Sequence, residues 1–216
     1  MKNKLIILIV LMSALLAGCF NWHGVRGNGI ISEDYRDIES FDAMDVSGAF
    51  TVYVIVGEPA KLKITGDENL LKYVRTRIKG NKLIIDTKKN FKNKNDIRID
   101  ISTPYLEDLD ISGANTVKIR GIDSERFKTD LSGACKILLE GRTNKLIADI
   151  SGASSFDAEN LEADYVKIEC SGASKASVFA VESIDADVSG VGSVTFKGDP
   201  ENVRTDVSGV GSIKRK

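Results

Sequence analysis

Histidine is almost missing: the 216-residue chain has one, His23. The chain beyond it therefore holds no Ser/His/Asp or Cys/His nucleophilic pair and no His-based metal cluster. Proline is scarce, at three against 19 glycines. The turns must be made with glycine, as in an all-β chain of many short strands. Neither sign of charge prevails: 30 basic and 31 acidic residues leave a net −1, so no long-range field recruits nucleic acid. The conspicuous apolar run, Leu5–Leu16, is short for a membrane span. What remains is an ordinary globular balance, 42% apolar and 28% charged.

The apolar run has another use. Lys2 and Lys4 precede it and Leu16-Ala17-Gly18-Cys19 follows. This order resembles the signal peptide and lipobox of bacterial lipoproteins. The resemblance implies removal of residues 1–18 and acylation of Cys19, with palmitate among the chains, which holds a domain on a bilayer without a spanning helix. The alternative is a secretory signal with a coincidental cysteine. Phe20, where an aspartate would stand in lipoproteins retained at the inner membrane, implies the outer membrane by the same resemblance. Processing leaves 28 basic and 31 acidic residues. Residues 19–37, with Gly24, Gly27 and Gly29, read as the lipidated cysteine and a tether leading into a first strand or cap. Trp22 is placed either at the membrane interface or simply in the linker.

The body of the chain repeats one phrase seven times: acidic, apolar, Ser, Gly, small. The copies begin at Asp45, Asp110, Asp130, Asp149, Glu169, Asp187 and Asp206. From Ser112 onward the serines are 20, 19, 20, 18 and 19 residues apart. A period of this length marks a solenoid. Around each phrase apolar residues alternate with polar ones. One column holds Val46, Ile111, Leu131, Ile150, Cys170, Val188 and Val207; another holds Val52, Val117, Ile137, Phe156, Ala176, Val194 and Ile213. Period-two alternation makes strands with one buried face.

Each repeat thus reads as two short strands joined at a Ser-Gly corner, with a polar return loop such as Arg120–Ser124, Glu140–Asn144 or Gly198–Asn202. One unit cannot bury its face alone; coils stacked at about 4.8 Å can. The glycine marks a corner with positive φ or close backbone approach. The acid and the serine are expected to bond turn amides. The position after the small residue runs Phe50, Asn115, Cys135, Ser154, Ser174, Gly192, Gly211, an inward corner that tightens along the chain.

Residues 38–105 are irregular. The 65 residues between Ser47 and Ser112 have room for about three coils and an insertion. Strands are expected at 51–56, 61–65, 82–86 and 97–101, and a helical turn capped by Asp67-Glu68-Asn69. This third reads as the N-terminal cap of a solenoid. At the other end Lys214-Arg215-Lys216 puts charge on an open edge.

Three groups invite a chemical reading. The acids should stack into a ladder that could recruit Ca²⁺. They lack the paired carboxylates and loop carbonyls of calcium repeats, and lysines such as Lys118 and Lys136 flank them, so no metal site is assigned. Lys88, Lys89, Lys92 and Lys94 around Phe91 form a basic loop, read either as a contact for anionic headgroups and polysaccharide or as a solvated loop. Cys135 and Cys170 fall in different columns two coils apart, about 9–10 Å, beyond disulfide reach. Polysaccharide lyases and hydrolases also use stacked coils, but they need clustered acids and bases set apart from the repeat.

The repeated Asp-Val-Ser-Gly phrases behind a lipobox, the opening Phe41–Gly48 and the turn Gly66–Leu71 resemble the bacterial family called putative auto-transporter adhesin, head GIN domain. That resemblance implies a right-handed parallel β-helix in the cell envelope and offers no catalytic residues. The expectation is an all-β, single-domain solenoid with coils of about 19–20 residues, irregular over 38–105 and regular over 106–216. No catalytic residue, cofactor or metal is assigned; the one assigned site is lipid attachment at Cys19. The expected function is a non-enzymatic binding or adhesion module at the envelope. Its partners would be the membrane, through the lipid, and a glycan or protein, not nucleic acid. The alternative is a structural or envelope-stress scaffold that binds another envelope protein.

Overall fold

The computed structural model describes residues 24–216. The leader, Cys19, Trp22 and His23 lie outside the described residues. The chain forms β1 (Val25–Arg26), β2 (Ile31–Arg36), β3 (Ala43–Gly48), β4 (Thr51–Val56), β5 (Lys61–Asp67), α1 (Glu68–Leu71), β6 (Val74–Lys79), β7 (Lys82–Thr87), β8 (Phe91–Lys92), β9 (Arg98–Thr103) and β10 (Asp108–Gly113). Then come β11 (Thr116–Gly133), β12 (Lys136–Ile150), β13 (Ser155–Gly172), β14 (Lys175–Gly190), β15 (Ser193–Lys197), β16 (Asn202–Gly209) and β17 (Ser212–Arg215). Together they wind a parallel β-solenoid of about five turns in one domain.

The phrases stack in register. Asp110 pairs with Asp45 on one side and Asp130 on the other; Asp149, Glu169, Asp187 and Asp206 continue the row. The apolar columns point inward and are buried: Ile111, Leu131, Ile150, Cys170 and Val188 are each at most 2% exposed. At the corner every column glycine has positive φ. Its carbonyl accepts the amide of the small residue one coil on, as in Ala134 N to Gly113 O and Ala153 N to Gly133 O, both 2.8 Å. A Cβ at Gly172 would sit 2.6 Å from Gly152 O. Both reasons for glycine, conformation and close approach, therefore hold at once.

The return loops are mostly strand. β11 runs unbroken through Arg120–Ser124, because Ile122 points into the core and its neighbours pair with the next coil. β12 does the same through Glu140–Asn144; Gly198–Glu201 remains a loop. The uneven period is absorbed on this side. Register shifts fall at Ile119/Ile122, Leu138/Glu140, Ala158/Glu162 and Ala163/Tyr165, so the Ser-Gly corner keeps strict alignment while coil length varies.

The first third differs more. No coil lies between Ser47 and Ser112: the two pair directly. Residues 57–107 instead fold back beneath the first coil. β7 pairs with β3 and β9 with β4, both parallel; β6, β5 and β2 then add antiparallel strands to them. The segment has no Ser-Gly corner, and Gly80, at φ +60, begins a two-residue turn that sends β6 back along β7. Antiparallel strands close that end of the stack. The tether also ends early, since β1 pairs with β8 and β2 belongs to the cap.

Asp67 holds this cap together. It is the residue before α1, as expected, but makes no helix-capping bond. Its buried carboxylate accepts from Gly29 N (3.1 Å), Lys94 N (2.6 Å), Asn95 N (3.3 Å) and Asn95 Nδ2 (2.8 Å). Burial raises its pKa, but these bonds prevail and leave it below the ordinary value.

Candidate functional site

Three surfaces carry the residues with chemistry. The first is the acidic ladder on the outer face of β3, β10–β14 and β16. The acids do not bond the turn amides, which are taken by glycine carbonyls; two of them meet basic side chains. Lys82 Nζ lies 2.6 Å from Asp110, and Lys167 Nζ 2.8 Å from Glu169. Asp149 has no ion pair among the described residues. Partial burial, then Asp130 and Glu169 on either side, raise its pKa. Asp45 is raised in the same way by burial and then by Asp110. Among the described residues no group of three or more His, Cys, Asp or Glu is arranged to hold a metal ion.

Inside the same corner four members of that series share one task. Asn115 Nδ2, Cys135 Sγ, Ser154 Oγ and Ser174 Oγ each donate to the carbonyl three residues earlier. The Oδ1 of Asn115 also accepts from Phe50 N at 2.9 Å. The position satisfies the backbone of the corner and is not a site. Cys135 and Cys170 are both buried and unpaired with each other. Burial pushes the Cys170 thiol up to about 11, so it is an inert core residue.

The basic loop is pinned to the cap. Phe91 is half-buried on β8, beside β1. Lys89 lies 5.7 Å from the Tyr73 ring centroid, and Lys94 turns toward Asn28 O. The four lysines are exposed, yet they do not converge on a cavity.

The third surface was not singled out from the sequence. A cross-strand row on the outer face runs Tyr35, Lys63, Asp100, Tyr53, Lys118 over β2, β5, β9, β4 and β11. Arg98 lies 4.4 Å and Lys118 5.5 Å from the Tyr53 ring centroid, and Lys63 lies 5.9 Å from that of Tyr35. Arg98 is itself held by Asp100, while Tyr35 Oη donates to Glu33 at 2.7 Å. Beside the row lies an open groove of about 550 Å³, lined by Tyr35, Ile38, Ile55, Lys63, Asp100 and Ser102 among others. Tyr35 is 72% exposed and Ile55 48%. The signal was present in Thr51-Val52-Tyr53-Val54-Ile55-Val56: strict alternation puts Tyr53 and Ile55 on the solvent side, where such residues are unusual.

Comparison with known proteins places this geometry. The model of the family described as "Putative auto-transporter adhesin, head GIN domain" matches residues 40–200. The fold is shared with a crystal structure titled a putative adhesin from Bacteroides fragilis, at TM-score 0.73 and 24% identity over 89% of this chain and 100% of that one. It is shared with structures from Parabacteroides, of which two serve as examples. One, from P. distasonis, is titled a putative lipid binding protein (TM-score 0.54, 19% identity, 90% of this chain and 100% of that one). The other, from P. merdae, is titled a putative adhesin (TM-score 0.52, 20% identity, the same coverage). No curated protein matches the chain.

Proposed function

The chain belongs to the family described as putative auto-transporter adhesin, head GIN domain, and from that premise we propose that it is a non-enzymatic binding module of the bacterial envelope whose ligand is a glycan. The observation that carries this reading is the row of Tyr35, Lys63, Asp100, Tyr53 and Lys118 beside the groove. Aromatic faces pack against the C–H faces of sugar rings, and the flanking lysines, arginine and aspartate supply donors and acceptors for hydroxyl and acidic substituents. The groove is open to solvent, which suits an extended polymer. A lipid on Cys19 would hold the module at the outer membrane.

The experiment is binding of the full chain to an array of glycans and envelope polymers. Saturable binding to one class, weakened at least about tenfold by Tyr53→Ala and by Tyr35→Ala with the melting temperature kept, is the expected result. A blank array, or binding indifferent to both substitutions, would reject the row as the site. Capture of an envelope protein through the same face would move the reading to a scaffold.

A further inference from the structure

The two ends of the solenoid are built differently. At the N-terminal end the outer strands β2 and β6 are antiparallel to their neighbours and Arg36 of β2 donates to Val74 O and Thr76 Oγ1 of β6, whereas β16 pairs, parallel, with β14 on one edge and with none of the described strands on the other. Every residue of β16 is exposed. Val203 is 52% and Val207 43% exposed, where their partners one coil below, Ile184 and Val188, are at 1% and 0%. The apolar columns therefore run out to a bare strand edge, a template for pairing with another strand.

The edge is complementary to itself. β16 reads Asn202-Val203-Arg204-Thr205-Asp206-Val207-Ser208 before its final glycine. Laid antiparallel on a second copy with the two-fold axis at Thr205, Arg204 of each copy faces Asp206 of the other. Val203 then faces Val207, and Asn202 faces Ser208. Directly opposed residues of an antiparallel pair share a face, so both charge pairs lie outside while the valines extend the buried columns. Sliding the register two residues either way sets Arg204 on Arg204 or Asp206 on Asp206, which repel; sliding it by one puts inward residues opposite outward ones. Arg204 is available for this contact: its side chain is 84% exposed and lies 3.9 Å from Asp185. The strand beneath, with Asp185 and Asp187 about Ala186, would repel its own copy. β17, at the same end, has no such match. Lys214 stands outward from the register of Thr195, and Arg215 and Lys216 fold back onto Asp199 and Glu159 at 2.8 and 2.9 Å.

We propose that β16 is the pairing edge of a symmetric dimer of this chain, two solenoids joined end to end through an antiparallel β16–β16 contact centred on Thr205. Such a contact is isologous and closes on itself, so it consumes the open edge without growing a fibre.

Sedimentation and light scattering of the full chain at micromolar concentration test it. The unaltered chain is expected to be a dimer. Arg204→Asp and Asp206→Arg should each raise the dimer Kd by roughly a hundredfold, because both create two like-charge pairs across the axis. Mixing the two variants should yield a heterodimer, and the double swap should dimerise again; a last coil that had merely unravelled would do neither. Thr205→Cys should cross-link to itself under mild oxidation. A monomeric unaltered chain, or dimers that survive both single reversals, would overturn the proposal.

Discussion

At the scale of single residues, the corner glycines show how closely the coils approach. Gly172 combines φ +81 with a phantom Cβ 2.6 Å from the Gly152 carbonyl oxygen, whereas Gly57, at φ +95, has open space around it. An alanine at either position takes on left-handed strain, and at Gly172 it also collides with backbone that cannot turn aside. Gly172→Ala is expected to cost about 3 kcal/mol and Gly57→Ala about 1 kcal/mol in urea unfolding. Equal costs would mean that the coils can separate at the corner. The phrase was legible in the sequence because this demand recurs at every coil. The donor role of Asn115, Cys135, Ser154 and Ser174 was not, since an amide, a thiol and two hydroxyls meet one need with no common residue type.

At the scale of elements, two aspartates act with opposite sign. Asp67 binds the strand-connecting segments around Gly29 and Lys94 to α1, and its pKa lies below the ordinary value. Its stabilisation is complete above the unfolded carboxylate pKa, about 3.9, and is lost as pH falls through the lower folded value. Asp149 lies in the ladder with a raised pKa. Its penalty is absent below the unfolded pKa and grows as pH rises through the folded one. Asp67→Asn should therefore destabilise the chain at neutral pH, and Asp149→Asn should stabilise it slightly, more so at low salt. Both differences should shrink toward pH 3. Urea midpoints across that range check the signs, and a stabilising Asp67→Asn would contradict the cap assignment. A helical turn after Asp67 could be read from Asp67-Glu68-Asn69. The carboxylate's actual partners could not, because Gly29 and Lys94 are remote in sequence and reach it only once the cap has folded.

For the whole molecule, each coil rests on its neighbours, and among the described residues the two ends of the stack differ, antiparallel strands at one and the singly paired β16 at the other. The proposed lipid on Cys19 is a separate, testable expectation at this scale. In cell fractionation the chain is expected in the membrane fraction, and a variant in which an ordinary cleavable secretory signal replaces residues 1–19 should move to the soluble fraction with its fold intact. Membrane retention of that variant would remove the lipid as the anchor and leave the envelope placement to some other contact.

By itself the sequence determined the parallel solenoid, its period, its buried columns and the seven-step acidic row. These follow from a local pattern repeated at fixed spacing, and each repeat states the same steric demand. Only the tertiary structure decided that Ser47 and Ser112 are neighbours. It also turned residues 57–107 into a cap rather than further coils, brought Tyr35 and Tyr53 into one cross-strand row, and left β16 with a single strand partner among the described residues. Each of these depends on which segments meet across long stretches of chain. A strand's sequence says that it needs a neighbour; the packing of the whole decides which neighbour it gets.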